Sequence, residues 1–204
     1  MIPAAEALAR LRDGNRRFVA GELTDQALSA KKRRALAADQ APFAIILGCS
    51  DSRVPAELVF DQGFGDLFVI RVAGNIVAPS QVGSVEFAAS KFGTKLVVVM
   101  GHSQCGAITA AVEELLDGAT NESRNLRSIV DRVRPAVETV IAGRRDLDRT
   151  MLVREAVLAN VRTSVDHLRH GSALLEKLIQ NEGLMIVGAK YSLATSVVSF
   201  LDGV

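Results

Sequence analysis

Four short runs of unbroken apolar residues constrain this chain more than any other feature. They are Phe43-Ala-Ile-Ile-Leu-Gly48, the Leu-Phe-Val-Ile stretch inside Asp66–Arg71, Lys95–Met100, and Gly183-Leu-Met-Ile-Val-Gly188. None alternates between apolar and polar, so each reads as a strand covered on both faces. Helical patterns lie between them, at Pro79–Lys91 and Cys105–Leu116, and Asn121–Leu178 is mostly helical with breaks at Gly143, Gly171 and Ser172. Strand–helix alternation predicts an α/β fold: a central, mostly parallel β-sheet of four to five strands covered by helices. Thr195–Leu201 is the fifth strand, at an edge. An N-terminal helical arm precedes the sheet. It holds an amphipathic helix over Pro3–Ala20, broken by Gly21, and a basic helix over Leu28–Ala38. The pattern leaves open whether the arm covers its own sheet or a neighbouring subunit.

Charge narrows the partners. Across 204 residues, 24 basic and 23 acidic side chains leave a net charge of +1, which argues for neither nucleic acid nor an anionic membrane surface. The Lys31-Lys-Arg-Arg34 run reads first as a solvated helix face and second as an anion patch. No segment resembles a secretory signal and none is long enough to span a bilayer. Two cysteines do not make a disulfide framework. The expected location is the cytoplasm, with both thiols reduced.

Those two cysteines follow apolar strands. Cys49 opens Cys49-Ser-Asp51-Ser-Arg53, and Cys105 closes His102-Ser-Gln-Cys105 before Gly106. Ligands in parallel sheets collect outside the carboxyl ends of the strands, so these segments can meet in space. Two thiols and one imidazole suit a zinc ion with one open position. Read residue by residue, each cysteine is also consistent with a small buried hydrophobe, a redox thiol or a nucleophile, and Asp51–Arg53 with a surface ion pair.

The combination resembles the β-class carbonic anhydrases. The match continues through Asp61-Gln62-Gly63, Asp66-Leu67-Phe68 and Arg71-Val-Ala-Gly-Asn75, over roughly residues 35 to 115. The resemblance implies one Zn2+ per subunit on Cys49, His102 and Cys105, and hydration of carbon dioxide to bicarbonate by zinc-bound hydroxide. It makes Asp51 and Arg53 a catalytic dyad that orients the nucleophile. In some members the pair breaks and the Asp becomes the fourth ligand. Gln40, Phe68, Ala73, Phe87 and Gly106 fall where the family contacts substrate. The layout implied is a single domain over 1–204, with the arm at 1–40, the zinc-site core at 41–118, and helices and C-terminal strands at 119–204. A homodimer or dimer of dimers is implied as well, with the N-terminal helices wrapping the partner and the active site near the interface.

Two positions depart from plant-type members, which carry Tyr at Phe87 and Val at Ala73. Ile46 stands where bicarbonate-regulated members place a Trp, and the chain has no Trp, so that regulatory site is expected to be missing or altered. An alternative activity keeps the site and changes the substrate to carbon disulfide or carbonyl sulfide. A non-catalytic zinc sensor would not need Asp51 and Arg53. A dinucleotide site is disfavoured, because Gly63-Phe-Gly65 lacks a third glycine and precedes a strand.

Overall fold

Unbroken apolarity in the chain becomes burial on both faces of a sheet. In the computed structural model, which describes residues 1–24, 30–118, 123–144 and 146–201, strands β1 (Ala44–Gly48) and β3 (Leu96–His102) are buried at every position. With β2 (Leu67–Arg71), β4 (Met185–Tyr191) and β5 (Val198–Phe200) they form one sheet in the order β2-β1-β3-β4-β5. The first four strands are parallel; β5 runs antiparallel on β4 at the edge. The mostly parallel α/β expectation holds, with five strands.

Eight helices are described: α1 (Ala4–Ala20), α2 (Ala30–Leu36), α3 (Ala56–Val59), α4 (Pro79–Phe92), α5 (Gly106–Asp117), α6 (Arg124–Gly143), α7 (Arg149–His170) and α8 (Ala173–Glu182). The predicted starts at Leu28 and Asn121 lie outside the described residues. Successive strand residues serve opposite faces. Ala44, Ile46, Leu96, Val98 and Met100 pack with α1, α3 and Phe60. Ile45, Leu47, Val97 and Val99 pack with α4, α7 and α8. A third cluster joins Cys49 and Cys105 to α5, α6 and the first turns of α7.

β3 and β4 both run past their predicted ends at Met100 and Gly188. Met100, Gly101 and His102 pair with Ala189, Lys190 and Tyr191. Gly101 lies within the strand. A Cβ there would sit 2.7 Å from Val161 Cγ2, so the glycine lets α7 approach the sheet. His102 is thereby carried on the strand itself.

The open question about the arm has an answer for α1, which lies on its own sheet. Ala4, Ala7 and Leu11 are buried beside Phe43, Ile46 and Phe60. A Cβ on Gly14 would fall 1.8 Å from the Phe60 carbonyl oxygen, so only glycine permits this approach. Next to it, Asn15 Nδ2 donates to the carbonyls of Val59 and Ser196, both at 3.0 Å, and Oδ1 accepts from Val198 N–H at 2.8 Å. One buried amide therefore ties α1 to α3 and to the edge strand. Farther along, Arg17 Nε donates to Asp61 Oδ2 at 2.5 Å, and Thr24 Oγ1 donates to the same oxygen at 2.8 Å. Burial pushes the Asp61 carboxyl up, but the donors Arg17 and Thr24 outweigh it and hold it below the ordinary range.

Two outcomes follow from this packing. Gly14→Ala should destabilise the fold by about 1–3 kcal/mol through overpacking, read as a lower thermal midpoint. Asp61→Asn should also destabilise, most strongly at neutral pH. Because the folded-state carboxyl is depressed, its contribution is complete above the unfolded value near pH ~4 and is lost as pH falls through the folded one. The stability gap between wild type and Asp61→Asn should therefore close on acidification; a gap constant with pH would contradict the assignment.

Candidate metal centre

The centre lies where the strand order reverses. From β1 the chain goes out to β2 and then returns across β1 to β3. A crevice opens at such a point beyond the carboxyl ends of the two strands. Cys49 follows β1 directly, and His102 is the last residue of β3. Cys105 is the residue before α5 and caps its first turn.

Cys49, His102 and Cys105 are all buried, at 5%, 0% and 1% exposure. One ligand-type atom from each lies within 4.8 Å of the other two. The sulfurs are 3.9 Å apart and form no disulfide. His102 Nδ1 lies 2.9 Å from the Ser103 carbonyl, which takes the ring N–H and leaves the Nε2 lone pair free. Nε2 is fully buried with no hydrogen-bond partner. A buried lone pair facing two sulfurs is the kind of orphan that a metal satisfies. The donor set therefore fits zinc.

Electrostatics favours a thiolate here. The sulfur–sulfur contact with Cys105 pulls the Cys49 titration down to about 4 against the effect of burial, helped by His102 and by the N–H groups of Asp51 and Gly74. Cys105 is pushed up in turn, by the same contact with Cys49 and by burial. For His102, burial opposes the charged ring, but Cys49, the Ser103 carbonyl and Asp51 raise it above the usual imidazole range.

Asp51 stands at the rim, its side chain 16% exposed. Arg53 Nε donates to Oδ1 at 2.9 Å and Nη2 to Oδ2 at 2.7 Å, and the Arg53 backbone N–H also donates to Oδ1 at 3.0 Å. These bonds hold the Asp51 carboxyl far below the usual range, with burial a weaker opposing effect. Asp51 Oδ2 is 3.8 Å from His102 Nε2. The carboxylate thus faces the ligand cluster while staying paired with Arg53.

Further groups brace the loop. Arg71, at the end of β2, donates from Nε to the Cys49 carbonyl at 3.0 Å and from Nη2 to the Asp51 carbonyl at 2.6 Å. Gly74 N–H donates to Cys49 Sγ at 3.3 Å. Ser103 N–H donates to the Tyr191 carbonyl, and Ser103 Oγ accepts from Leu193 N–H, both at 2.9 Å. The bracing roles of Arg71, Gly74 and Ser103 were not read from the sequence. The register of Arg71 opposite Gly48 is the signal that could have shown the first of them.

The remaining predicted residues divide. Ala73 begins the 3-10 turn Ala73–Asn75 against the Cys49 sulfur, and Gly106 opens α5 beside Cys105. Phe68 on β2 packs against Phe87 and Phe92, with ring centroids 6.2 and 6.1 Å away. Gln40 and Phe87 line a separate open groove with Leu36, Phe64 and Phe92, and no metal-ligand candidate lines it. Ile46 is fully buried beneath α1.

The sequence model described as carbonic anhydrase matches residues 44–198, a span holding the whole cluster. The chain belongs to the β-carbonic anhydrase family. It is 42% identical over 184 residues to "Carbonic anhydrase 2" of Mycobacterium tuberculosis, covering 90% of this chain and 86% of the relative. It is 38% identical to the carbonic anhydrase of Mycolicibacterium smegmatis at the same coverage. Among solved structures, the β-carbonic anhydrase CafA of Aspergillus fumigatus superposes with a TM-score of 0.78 at 26% identity, covering 98% of this chain and 91% of that one. The β-carbonic anhydrase CcaA superposes at 0.79 and 25%, covering 97% and 89%. As a carbonic anhydrase, this enzyme acts on carbon dioxide and bicarbonate.

If the cluster is the metal centre, the purified β-carbonic anhydrase should carry about one ion per chain. Cys105→Ser should lose most of it on dialysis, as read by elemental analysis.

Proposed function

We propose that this chain hydrates carbon dioxide reversibly at a zinc ion held by Cys49, His102 and Cys105, one ion per subunit, with Asp51 and Arg53 as the catalytic dyad. The convergence of two sulfurs and the orphaned His102 Nε2, with the Asp51 carboxylate 3.8 Å away, carries this reading. When bound, zinc would supply a water acidic enough to lose its proton near neutral pH.

The rest belongs to the chain's own residues. Asp51, kept ionised by Arg53, can only accept hydrogen bonds. It would take the O–H of the attacking oxygen and turn a lone pair toward the substrate carbon. Arg53 engages both carboxylate oxygens and so fixes the direction in which Asp51 points. Its Nη2 also reaches the Gln104 carbonyl at 3.5 Å, which links the dyad to the loop between His102 and Cys105. Arg71 holds the Cys49 and Asp51 carbonyls, so ligand and acceptor move as one unit. Ala73 and Gly106 would offer a small-residue wall and a helix-start N–H to the substrate, and Phe68 an apolar surface suited to a neutral molecule.

Gln40 and Phe87 reach the same role only in an assembly. Phe64 and Phe87 are each more than half exposed on the groove that Gln40 lines, an apolar patch suited to burial by a second copy. We accordingly propose a homodimer or dimer of dimers. No described helix is long and apolar enough to cross a membrane. We propose a cytoplasmic setting, where two closely spaced thiols stay reduced.

Stopped-flow carbon dioxide hydration with metal analysis tests the reading. Full zinc occupancy without turnover between about pH 7 and pH 9 would sink it. Asp51→Asn should keep its zinc and lose roughly a hundredfold in kcat, because the nucleophile is no longer aimed. Sulfide release from carbon disulfide or carbonyl sulfide, measured alongside, would show the alternative substrate if it outpaced hydration.

A further inference from the structure

The buried face of α7 reads Ala156, Val157, Asn160, Val161, Ser164, Val165, Leu168. Two polar residues, one turn apart, interrupt an otherwise apolar stripe. Asn160 is 2% exposed and Ser164 4%. Burying an amide and a hydroxyl in a core is unfavourable unless both find partners. They find consecutive carbonyls of one turn. Asn160 Nδ2 donates to the Gly74 carbonyl at 2.8 Å, and Ser164 Oγ donates to the Asn75 carbonyl at 3.2 Å.

That turn carries a backbone hydrogen bond, from Asn75 N–H to the Val72 carbonyl at 3.0 Å, and lies against Ala107 of α5 and Val133 of α6. Gly74 and Asn75 both adopt left-handed backbone, with φ of 69° and 43°. For Asn75 this is a sparsely populated conformation that its surroundings must enforce. The turn reaches the metal centre through the Gly74 N–H, which donates to Cys49 Sγ at 3.3 Å. The chain of contacts therefore runs from α7, through two carbonyls, to one N–H on a ligand sulfur.

We propose that Asn160 and Ser164 are positioning residues for the metal centre: they clamp the Gly74–Asn75 turn so that its N–H stays on the Cys49 sulfur. This rests on the zinc-site reading above. A hydrogen bond to a ligand thiolate spreads its charge and fixes the direction of its lone pairs, and such supporting contacts change metal affinity by about 10- to 100-fold. Asn160 is the larger contributor, because its carbonyl partner belongs to Gly74, the residue that makes the sulfur contact.

The test uses the zinc-loaded enzyme. Zinc is withdrawn by a competing chelator and followed with a chromogenic zinc dye. In parallel, the cobalt-substituted protein reports the thiolate-to-cobalt absorption band. Asn160→Leu keeps the volume and removes the donor. It should weaken zinc retention about 10- to 100-fold and shift the cobalt band. Ser164→Ala should act in the same direction and less. Leu168→Ala, a core truncation on the same helix away from the turn, should lower the thermal midpoint and leave both metal readouts alone.

An Asn160→Leu protein with wild-type zinc retention and an unchanged cobalt band would overturn the proposal. So would a Leu168→Ala protein that loses zinc as readily, since the effect would then be general destabilisation. Should Asn160→Leu fail to fold, Asn160→Asp and Ser164→Ala decide the matter in the same two assays. A wild-type protein that binds no zinc, or a Cys49→Ser variant that keeps it fully, overturns the zinc-site reading and this proposal with it. Wild-type zinc held through Cys49 with indifferent Asn160 and Ser164 variants overturns the clamp alone.

Discussion

The register between β1 and β3 is the constraint on which the rest depends. Gly48 lies opposite Met100, so the two strands end within two residues of each other at the same edge. Everything chemical follows from that alignment. Cys49 is the first residue beyond β1, and His102 is held at the end of β3 by its pairing with Tyr191. A slip of one residue would turn every strand side chain to the other face and separate the ligands. Both strands are sealed between α1 on one side and α4, α7 and α8 on the other, so such a slip would expose the whole core.

Beyond the strand ends, polar groups are packed into a largely apolar surround. The two cysteines share a cluster with Ile76, Ile108, Val133 and Val157. Cys49, His102 and Cys105 are buried there, so their polar atoms depend on fixed partners. Arg71 takes two carbonyls, Ser103 ties the ligand loop to β4, and Arg53 holds Asp51. The result is an inner ring of three candidate ligands with one carboxylate at its open side.

Much of this was legible in the chain, for identifiable reasons. Unbroken apolar runs marked the parallel strands, and cysteine and histidine at two strand ends marked the centre. The clearance that Gly101 gives Val161 was not legible, because no local pattern shows it. The placement of α1 was unreadable, since an amphipathic helix fits its own sheet or another equally well. Gly14 decides it only once the Phe60 carbonyl is seen against it. Asn160 was hidden within a long helical segment, where a polar residue on the core stripe is visible only after the stripe is located. Gln40 and Phe87 matched by position, yet one chain leaves them on an open groove apart from the ligands.

The separation of the ligands also bears on how the chain folds. Cys49 and His102 are 53 residues apart (102 minus 49), with α3, β2, the Ala73–Asn75 turn and α4 between β1 and β3. Small zinc modules whose ligands sit a few residues apart can be organised by the ion at the outset. Here no short segment contains the full ligand set. Loop closure and the crossover through β2 and α4 must come first, and parallel pairing of this kind is slow because distant segments have to meet before contacts reward them. On the proposed site, an ion would therefore meet a chain whose central sheet is already in place. It would act as a late lock on the finished edge of that sheet and not as a seed for it.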